Sequence, residues 1–181
     1  TASDGAASDF FGSSVALSGD LALVGADGDD IGATLDQGSA YVFRWNGTSW
    51  LQEQKLMASD GAAGDRFGVS AISEDLAVVG AIRDDIGANV DQGSAYVFGW
   101  NDTSWVQEQK LTASDGAASD FFGSSVALSG ELALVGAGGG GIGPTLDPAQ
   151  YNSNAAGIIT VSIYGTMIRA TPDGPEPSLA T

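Results

Sequence analysis

An internal repeat limits what this chain can fold into more than any other feature of its sequence. Residues 1–17 (TASDGAASDFFGSSVAL) recur letter for letter at 112–128, and a diverged copy lies at 57–72. A second block occurs at 36–56 and again at 91–111, but it has no third copy. The copies are spaced by about 55 residues, and a fixed period of this order indicates one supersecondary unit repeated along the chain. The sequence therefore predicts a tandem array of two complete units and a diverged third.

Each unit contains four short stretches with strand character, separated by Gly, Asp, Ser and Asn. In the first unit these stretches are 13–17, 21–26, 39–45 and 50–56. Asn46-Gly47 between the last two is a strong hairpin signal, because both residues tolerate a positive φ. The second unit has Asn101-Asp102 at this point, which predicts a longer or different connection there. Apolar residues nowhere recur at i, i+3, i+4 and i+7 over three turns, so no helix is expected.

Four antiparallel strands repeated at this period are typical of a β-propeller blade, a twisted sheet that packs against neighbouring blades. We therefore predict an all-β fold of tandem four-stranded antiparallel blades. Glycine is expected where blades approach too closely for a Cβ, and six glycines lie at strand ends: Gly12, Gly25, Gly68, Gly80, Gly123 and Gly136. Three blades do not close a ring of about four to eight, so we expect either self-association or the remaining blades of a larger chain.

Two short signatures, Phe-Gly and a downstream Val-Gly-Ala, recur in every unit. They occur at Phe11-Gly12 with Val24-Gly25-Ala26, at Phe67-Gly68 with Val79-Gly80-Ala81, and at Phe122-Gly123 with Val135-Gly136-Ala137. Over about residues 1–137 this pattern resembles FG-GAP repeats, the blades of the integrin α-chain propeller and of many secreted bacterial proteins. The resemblance implies a non-enzymatic, extracellular or cell-surface module with a protein- or glycan-binding surface for adhesion. Calcium-binding members carry an Asp-x-Asp-x-Asp-Gly loop between the first and second strands, and the short turns of this chain do not match it.

The repeat also sets the predicted domain boundaries. They are 1–57 for the first blade, 58–112 for the second, 113–171 for a diverged third blade and 172–181 for an extended Pro-rich tail. Within the third unit, apolar and polar residues alternate over 158–164, which predicts a strand. We expect this strand in the third position of the last blade, with 166–171 as the fourth. The alternative is a separate element that completes the sheet of a neighbouring chain.

Composition removes several classes of function. Six Lys plus Arg against 23 Asp plus Glu give a net charge of −17, which repels nucleic-acid phosphates and anionic membrane surfaces. The chain has no Cys and no His, which excludes disulfides, thiol nucleophiles, Ser-His-Asp triads and ordinary zinc sites. No apolar run reaches the length of a membrane helix, about 18 residues. We therefore predict no nucleic-acid partner, no membrane insertion and no enzymatic activity.

The loops after the second strands carry the candidate metal ligands. These are Asp27, Asp29, Asp30 and Asp36 in the first unit, and Asp84, Asp85 and Asp91 in the second. Calcium takes six to eight oxygen ligands, which such carboxylates and loop carbonyls can supply; the alternative is that the loops are simply solvated. The third unit has four glycines at 138–141 instead, so a cation site would not be repeated three times. Calcium is therefore a candidate ligand, and no cofactor is expected to be required.

A second acidic set lies in the segments that lead into each unit, with a constant spacing of five residues. It consists of Asp4 and Asp9, Asp60 and Asp65, and Asp115 and Asp120. Short acidic side chains in such segments commonly accept hydrogen bonds from nearby backbone amides. We predict that these residues form turns in this way; the alternative is a ligand-binding role. Repetition in every unit also favours a structural role, because a catalytic group gains nothing from being copied into each blade.

Aromatic residues and two sequons complete the candidate sites. Trp45, Trp50, Trp100 and Trp105 flank the hairpin turns; they either bind a glycan or protein partner or pack across the hairpin. Asn46 and Asn101 begin glycosylation sequons on exposed turns. They are candidate glycosylation sites only if the source glycosylates secreted proteins. Five further aromatics are expected in the core between blades: Phe11, Phe67, Phe122, Tyr41 and Tyr96.

The sequence thus favours a non-enzymatic extracellular repeat module that offers a binding or adhesion surface. A structural subunit, in which chains cover each other's open edges to build a fibre or sheath, is the alternative. A lectin that stacks sugars on Trp50 and Trp105 is a third hypothesis.

Overall fold

The computed structural model describes residues 1–139, 157–164 and 167–168, the last two segments by their backbone. Its regular structure consists of strands in three four-stranded antiparallel sheets, and no helix occurs in these ranges. In each sheet the strands lie side by side in chain order. The predicted all-β fold of tandem four-stranded antiparallel blades is therefore confirmed.

The three sheets are named blade 1, blade 2 and blade 3 in chain order. Blade 1 contains β1 (Val15–Ser18), β2 (Leu21–Ala26), β3 (Ser39–Trp45) and β4 (Trp50–Leu56). Blade 2 contains β5 (Phe67–Ser73), β6 (Leu76–Ala81), β7 (Ser94–Trp100) and β8 (Trp105–Leu111). Blade 3 contains β9 (Phe122–Ser129), β10 (Leu132–Ala137), β11 (Gly157–Tyr164) and β12 (Met167–Ile168). In blade 1 the last three strands have the predicted bounds, and the first begins slightly later than predicted.

The diverged third unit forms a sheet of the same topology as the other two. β11 pairs antiparallel with β10 over residues 157–162, which confirms the predicted third-strand position. The alternative prediction, a separate strand that completes the sheet of a neighbouring chain, is therefore wrong, because β11 pairs within its own chain. β12 pairs with β11 and lies inside the predicted fourth strand. The other residues of 166–171 and the Pro-rich tail at 172–181 lie outside the described residues.

The hairpin between β7 and β8 matches the one between β3 and β4, so the different connection predicted there is wrong. Each has a four-residue loop whose first residue is an Asn. The side-chain oxygen of this Asn accepts hydrogen bonds from the backbone amides two and three residues later. Asp102 has a φ of 71° where Gly47 has 93°. The turn forms without glycine because Asp enters the left-handed region more readily than most residues.

The two larger apolar core clusters lie between the blades. The cluster between blades 1 and 2 includes Leu21, Leu23, Val42, Phe67, Ile72, Val79, Tyr96 and Phe98. The cluster between blades 2 and 3 includes Val78, Val97, Leu111, Phe122 and Val135. Four of the five predicted core aromatics, Phe67, Phe122, Tyr41 and Tyr96, are buried. Phe11 is the exception because no described blade covers the face on which it lies.

Glycine pairs allow the backbones of adjacent blades to touch. A Cβ on Gly25 would lie 2.0 Å from the carbonyl oxygen of Gly68, and one on Gly80 would lie 2.1 Å from that of Gly123. Real Cβ atoms do not approach a carbonyl oxygen so closely, so these four predicted blade contacts are confirmed. The other two glycines, Gly12 and Gly136, face no other blade in the described structure.

Candidate functional site

Four of the predicted metal ligands fix the shape of their own loops. In the loop between β2 and β3, the Asp30 carboxylate accepts a hydrogen bond from the Asp36 amide at 2.8 Å. In the loop between β6 and β7, Asp85 accepts one from the Asp91 amide at the same distance. Asp36 and Asp91 have left-handed φ values of 52° and 55°. The two carboxylates therefore hold a strained corner of each loop, as Asx-type side-chain bonds commonly do.

The most deeply buried of the predicted ligands belongs to an ionic network in blade 1. Lys55 Nζ lies 2.7 Å from carboxylate oxygens of both Asp29 and Asp4. The Tyr41 hydroxyl lies 2.9 Å from the same two carboxylates. Its single proton goes to one of them at a time. The Ser39 hydroxyl donates a further hydrogen bond to Asp29.

Blade 2 repeats this network residue for residue. Lys110 Nζ lies 2.6 Å from Asp84 and 2.7 Å from Asp60. The Tyr96 hydroxyl lies 3.0 Å from Asp84 and 2.8 Å from Asp60, and Ser94 donates to Asp84. The ammonium group also lies 5.3 Å from the centre of the Tyr96 ring, within range of a cation–π contact.

Proton affinities in blade 1 show how strongly these groups are coupled. Burial alone would lower the pKa of Lys55, but hydrogen bonds with Asp29 and Asp4 outweigh burial and hold this pKa above its ordinary value. The hydrogen bond from Lys55 lowers the pKa of Asp4. Burial raises the pKa of Tyr41 to about 12. The lysine and the tyrosine both keep their protons at neutral pH. The network is therefore a stable set of ion pairs and hydrogen bonds and does not transfer protons.

The networks join parts of the chain that are distant in sequence. In blade 2, Asp60 lies on the segment that follows β4, Asp84 on the long loop and Lys110 on the outer strand β8. Burial alone would raise the pKa of Asp60, but the hydrogen bonds from Lys110 and Tyr96 outweigh it, and this pKa is lowered. The two ion pairs therefore connect the segment between blades 1 and 2, and the long loop of blade 2, to β8, the outer strand of blade 2.

Five of the six members of the second acidic set, all except Asp115, divide into two groups with different roles. Asp9, Asp65 and Asp120 each accept a hydrogen bond from the backbone amide three residues earlier, at 2.5–2.7 Å, which confirms the predicted turn. Asp4 and Asp60 do not follow that prediction, because their carboxylates face a lysine and a tyrosine. The ion pair is the stronger partner for a carboxylate where a lysine is held within reach.

The predicted metal ligands do not come together as one site. In residues 1–139 no three carboxylates are arranged to hold a metal ion. Asp29 and Asp84 face lysines, and calcium needs six to eight oxygen ligands. Asp27 lies against Gly68 at the contact between blades 1 and 2. Its Oδ1 is buried with no hydrogen-bond partner among the residues that the structure describes.

The loop of blade 2 lines a depression of about 360 Å³. Arg83 and Lys110 stand in it among five carboxylates, those of Asp60, Asp65, Asp84, Asp85 and Asp91. Burial raises the pKa of Asp65 to about 6, against the hydrogen bond from the Ala62 amide. The excess of carboxylates makes this depression unsuitable for anionic ligands.

The two tryptophan pairs have different environments although their hairpins match. Trp45 and Trp50 have ring centres 5.6 Å apart, tilted by 52°, and both are exposed. Trp100 and Trp105 are 5.9 Å apart with a tilt of 51°, but Trp105 is 3% exposed. The Gln54 side chain of blade 1 bonds both the amide and the carbonyl of Trp105, at 2.8 and 2.7 Å. Cross-strand packing therefore describes both pairs, and only the blade 1 pair is available to a ligand.

Both sequon asparagines are exposed at the hairpin tips. Their Oδ1 atoms accept the turn hydrogen bonds, as in Asn46 to the Thr48 amide at 3.0 Å and Asn101 to the Thr103 amide at 3.2 Å. The amide nitrogen that carries a glycan is the other atom of the side chain. These turn hydrogen bonds therefore do not use the nitrogen that would carry the glycan.

Sequence reasoning missed Lys55 and Lys110, the residues on which the ionic networks depend. The signal was present in the repeats: Ser-x-Tyr at the start of the third strand and Lys near the end of the fourth occur at the same spacing in both units. In a chain with only six basic residues, two lysines at equivalent repeat positions indicate paired carboxylates.

Comparison with known families gives one match. The profile of the family described as FG-GAP repeat matches residues 1–43, 50–98 and 105–153. The comparison with curated proteins found no match. No helix of membrane-spanning length and hydropathy occurs in the described part of the chain.

Proposed function

Because the chain belongs to the FG-GAP repeat family, we propose that it is a non-enzymatic binding module of an extracellular or cell-surface protein. FG-GAP repeats are generally binding repeats that typically occur in extracellular proteins. The ionic networks support this role, because their lysine, tyrosine and carboxylate groups are bound to one another in two successive blades. Because these groups already bind one another, a ligand has to bind to other residues on the protein surface.

The exposed tryptophan pair of blade 1 is the observation that carries the proposal. Trp45 and Trp50, together with Gly19 and Asp20, line a depression of about 400 Å³. Tilted aromatic faces beside a carboxylate can stack on a sugar ring and accept hydrogen bonds from its hydroxyl groups. We therefore propose a neutral or basic glycan as the ligand of this surface, with an aromatic or arginine side chain of a protein as the alternative occupant.

A glycan array followed by calorimetry with the best glycan tests this surface. Trp50→Ala is expected to weaken binding at least tenfold and to leave the circular dichroism spectrum unchanged, because the ring is exposed. Leu51→Ala is the matched control, since Leu51 is also exposed but does not line the depression. Trp105→Ala is expected instead to lower the denaturant midpoint, because its buried ring packs between blades. Glycan binding that survives Trp50→Ala would exclude the tryptophan pair as the binding surface.

A self-assembling fibre or sheath is the second candidate function. It is favoured by apolar residues on the outer faces of blades 1 and 3, such as Val15 and Leu132, that are exposed in the part of the chain that the structure describes. Light scattering that shows growth without limit as concentration rises would support the fibre.

Glycosylation of Asn46 and Asn101 is proposed where the source modifies secreted proteins. Asn46 directly follows Trp45 at the edge of the proposed binding surface. A glycan on Asn46 would compete with an added ligand, whereas one on Asn101 would not. Intact-mass measurement of the secreted chain, with and without glycosidase, tests both sites.

A further inference from the structure

We propose that the depression of blade 2 binds an organic cation, that is, an ammonium or guanidinium group on an aliphatic stem. The depression has a volume of about 360 Å³, within the range of about 300–1,000 Å³ found for small-molecule sites. It lies on the middle one of the three blades, which packs against a described blade on either side. The site is separate from the tryptophan pair of blade 1, so its failure would leave the proposed glycan surface standing.

The charges in the depression favour a cation. Of its five carboxylates, Asp60 and Asp84 share Lys110. Arg83, the second cation in the depression, is exposed. The other three carboxylates form no ion pair with a residue that the structure describes; they belong to Asp65, Asp85 and Asp91. The depression therefore keeps an excess of negative charge after its internal pairs have formed.

Asp65 is the observation that carries the proposal, because it is buried and incompletely bonded. It lines the depression and is 4% exposed. Its Oδ2 accepts a hydrogen bond from the Ala62 amide at 2.7 Å, whereas Oδ1 accepts none from the described residues. Burial raises the pKa of Asp65 to about 6, and a cation beside Oδ1 would oppose that rise. A buried carboxylate in this condition is stabilised by a cation that enters the depression.

Blade 1 shows the kind of group that this loop accepts. Arg66 Nη2 lies 3.4 Å from a carboxylate oxygen of Asp36. The counterpart of Asp36 in blade 2 is Asp91, which lines the depression. The counterpart of Arg66 in the following unit is the uncharged Phe121. Blade 2 therefore keeps the carboxylate of this loop, but its repeat does not supply the guanidinium that pairs with it in blade 1.

The surroundings of the loop also differ between the two blades. In blade 1 the ring of Phe10 packs on Gly28, since a Cβ on Gly28 would lie 2.5 Å from Cδ2 of that ring. In blade 2 the counterparts of these residues are Arg66 and Arg83. Arg66 extends to Asp36 of blade 1, and Arg83 is exposed. The repeat position of Phe10 therefore carries no aromatic ring in blade 2, which leaves room for a ligand.

Apolar residues in the same depression favour an organic cation over a metal ion. Val90 is 57% exposed and lines the depression together with Ala62 and Ala63. Such a surface packs against an aliphatic stem, as apolar surfaces do with the stems of lysine and arginine. No three carboxylates of the described residues are arranged to hold a metal ion. The expected ligand is therefore a free aliphatic amine or guanidine, or a basic side chain of a protein partner.

Calorimetry with the 181-residue chain tests the site. The probe is agmatine, which carries a guanidinium and an ammonium group on one aliphatic chain, and one agmatine is expected to bind per chain. Asp65→Asn is expected to weaken binding about thirtyfold or more, as the loss of one partner of a buried charge pair does. Asp9→Asn is the matched control, because Asp9 makes the same turn hydrogen bond in blade 1 and the substitution changes the net charge equally. It is expected to leave binding unchanged.

Two further variants keep the test decisive if Asp65→Asn does not fold. The Asp91 side chain accepts no hydrogen bond from a described residue, and Arg83 is exposed, so neither Asp91→Asn nor Arg83→Gln is expected to move the urea midpoint. Asp91→Asn is expected to weaken agmatine binding by up to about fivefold, as the loss of a partly exposed charge pair does. Arg83→Gln is expected to strengthen binding, because it removes a positive charge that repels the ligand.

Peptide-like probes identify the source of the cation. Tighter binding of Nα-acetyl-arginine amide than of agmatine would indicate a basic side chain of a protein partner, and the reverse order would indicate a free amine. The uncharged Nα-acetyl-citrulline amide is expected not to bind.

Three results would overturn the proposal. The first is no binding heat from either cationic probe at up to about 10 mM, where even a site with a Kd of about 1 mM is mostly occupied. The second is an equal loss of binding in Asp65→Asn and Asp9→Asn, which would show attraction to the overall negative charge alone. The third is weaker binding by a folded Arg83→Gln chain, since a cation site gains from the loss of that charge.

Discussion

Buried carboxylates in this chain depend on single lysines. Asp84 is 5% exposed and lies 2.6 Å from Lys110. Removing one member of a buried ion pair leaves an unpaired charge in a poorly solvated place, whereas removing both members costs much less. The networks therefore stabilise the chain only as complete sets, which accounts for the repetition of all five residues in blades 1 and 2.

Lys110→Met tests this dependence. We expect a loss of about 3 kcal/mol in the free energy of unfolding at pH 7, because the Asp84 carboxylate keeps its charge without a partner. The double variant Lys110→Met with Asp84→Asn removes the charge as well and is expected to regain most of that loss. Urea unfolding followed by circular dichroism measures both. Equal destabilisation of the two variants would show that the lysine acts through packing and not through its charge.

At the scale of the strands, the sequence was sufficient for most of the fold. Alternation of apolar residues and turn signals located β2, β3 and β4 at the bounds seen in the structure, since strand period and turn chemistry are local properties. The alternative geometry predicted at Asn101-Asp102 failed because the Asn side chain, and not glycine, directs that loop.

The exposure of residues that contact a neighbouring blade could not be predicted from the sequence. Trp50 and Trp105 have equivalent positions and the same hairpin, yet only Trp105 is covered, by Gln54 of the preceding blade. Within a blade, the repeated position of Lys55 indicated a carboxylate partner but not which one, because Lys55 lies on a different strand and reaches the Asp29 loop only after the sheet has formed. Local pattern thus predicts the blade, and contact between blades decides which residues are available for binding.

The glycine contacts allow a direct test of blade packing. A Cβ on Gly80 would lie 2.1 Å from the Gly123 carbonyl oxygen, and backbone cannot move aside as a flexible side chain can. Gly80→Ala is therefore expected to cost about 2 kcal/mol or more, as overpacking of a tight contact does. Gly5→Ala is the control, because its Cβ would lie 3.6 Å from Ala2 at an ordinary contact distance. Similar denaturant midpoints for the two variants would contradict close packing of the blades.

At the scale of the whole molecule, the family unit and the blade are out of phase. The match over 50–98 begins with β4 of blade 1 and continues through β5 and β6 into β7 of blade 2. The matches over 50–98 and 105–153 therefore each contribute strands to two blades, whereas the match over 1–43 lies within blade 1. This arrangement links neighbouring sheets through the chain itself, and it agrees with the two larger core clusters, each of which joins neighbouring blades.

Net charge is the other property of the whole molecule, and it opposes compactness. The carboxylates behind the net charge of −17 repel one another. Added salt screens this repulsion, with a Debye length of about 10 Å at 0.1 M. We expect the thermal midpoint to rise as NaCl increases from low concentration, with the protein concentration held constant because association also shifts the midpoint. CaCl2 at matched ionic strength separates screening from specific binding. The same midpoint in both salts is expected if Asp29 and Asp84 remain paired with lysine; a further rise with calcium alone would show that the acidic loops bind the ion.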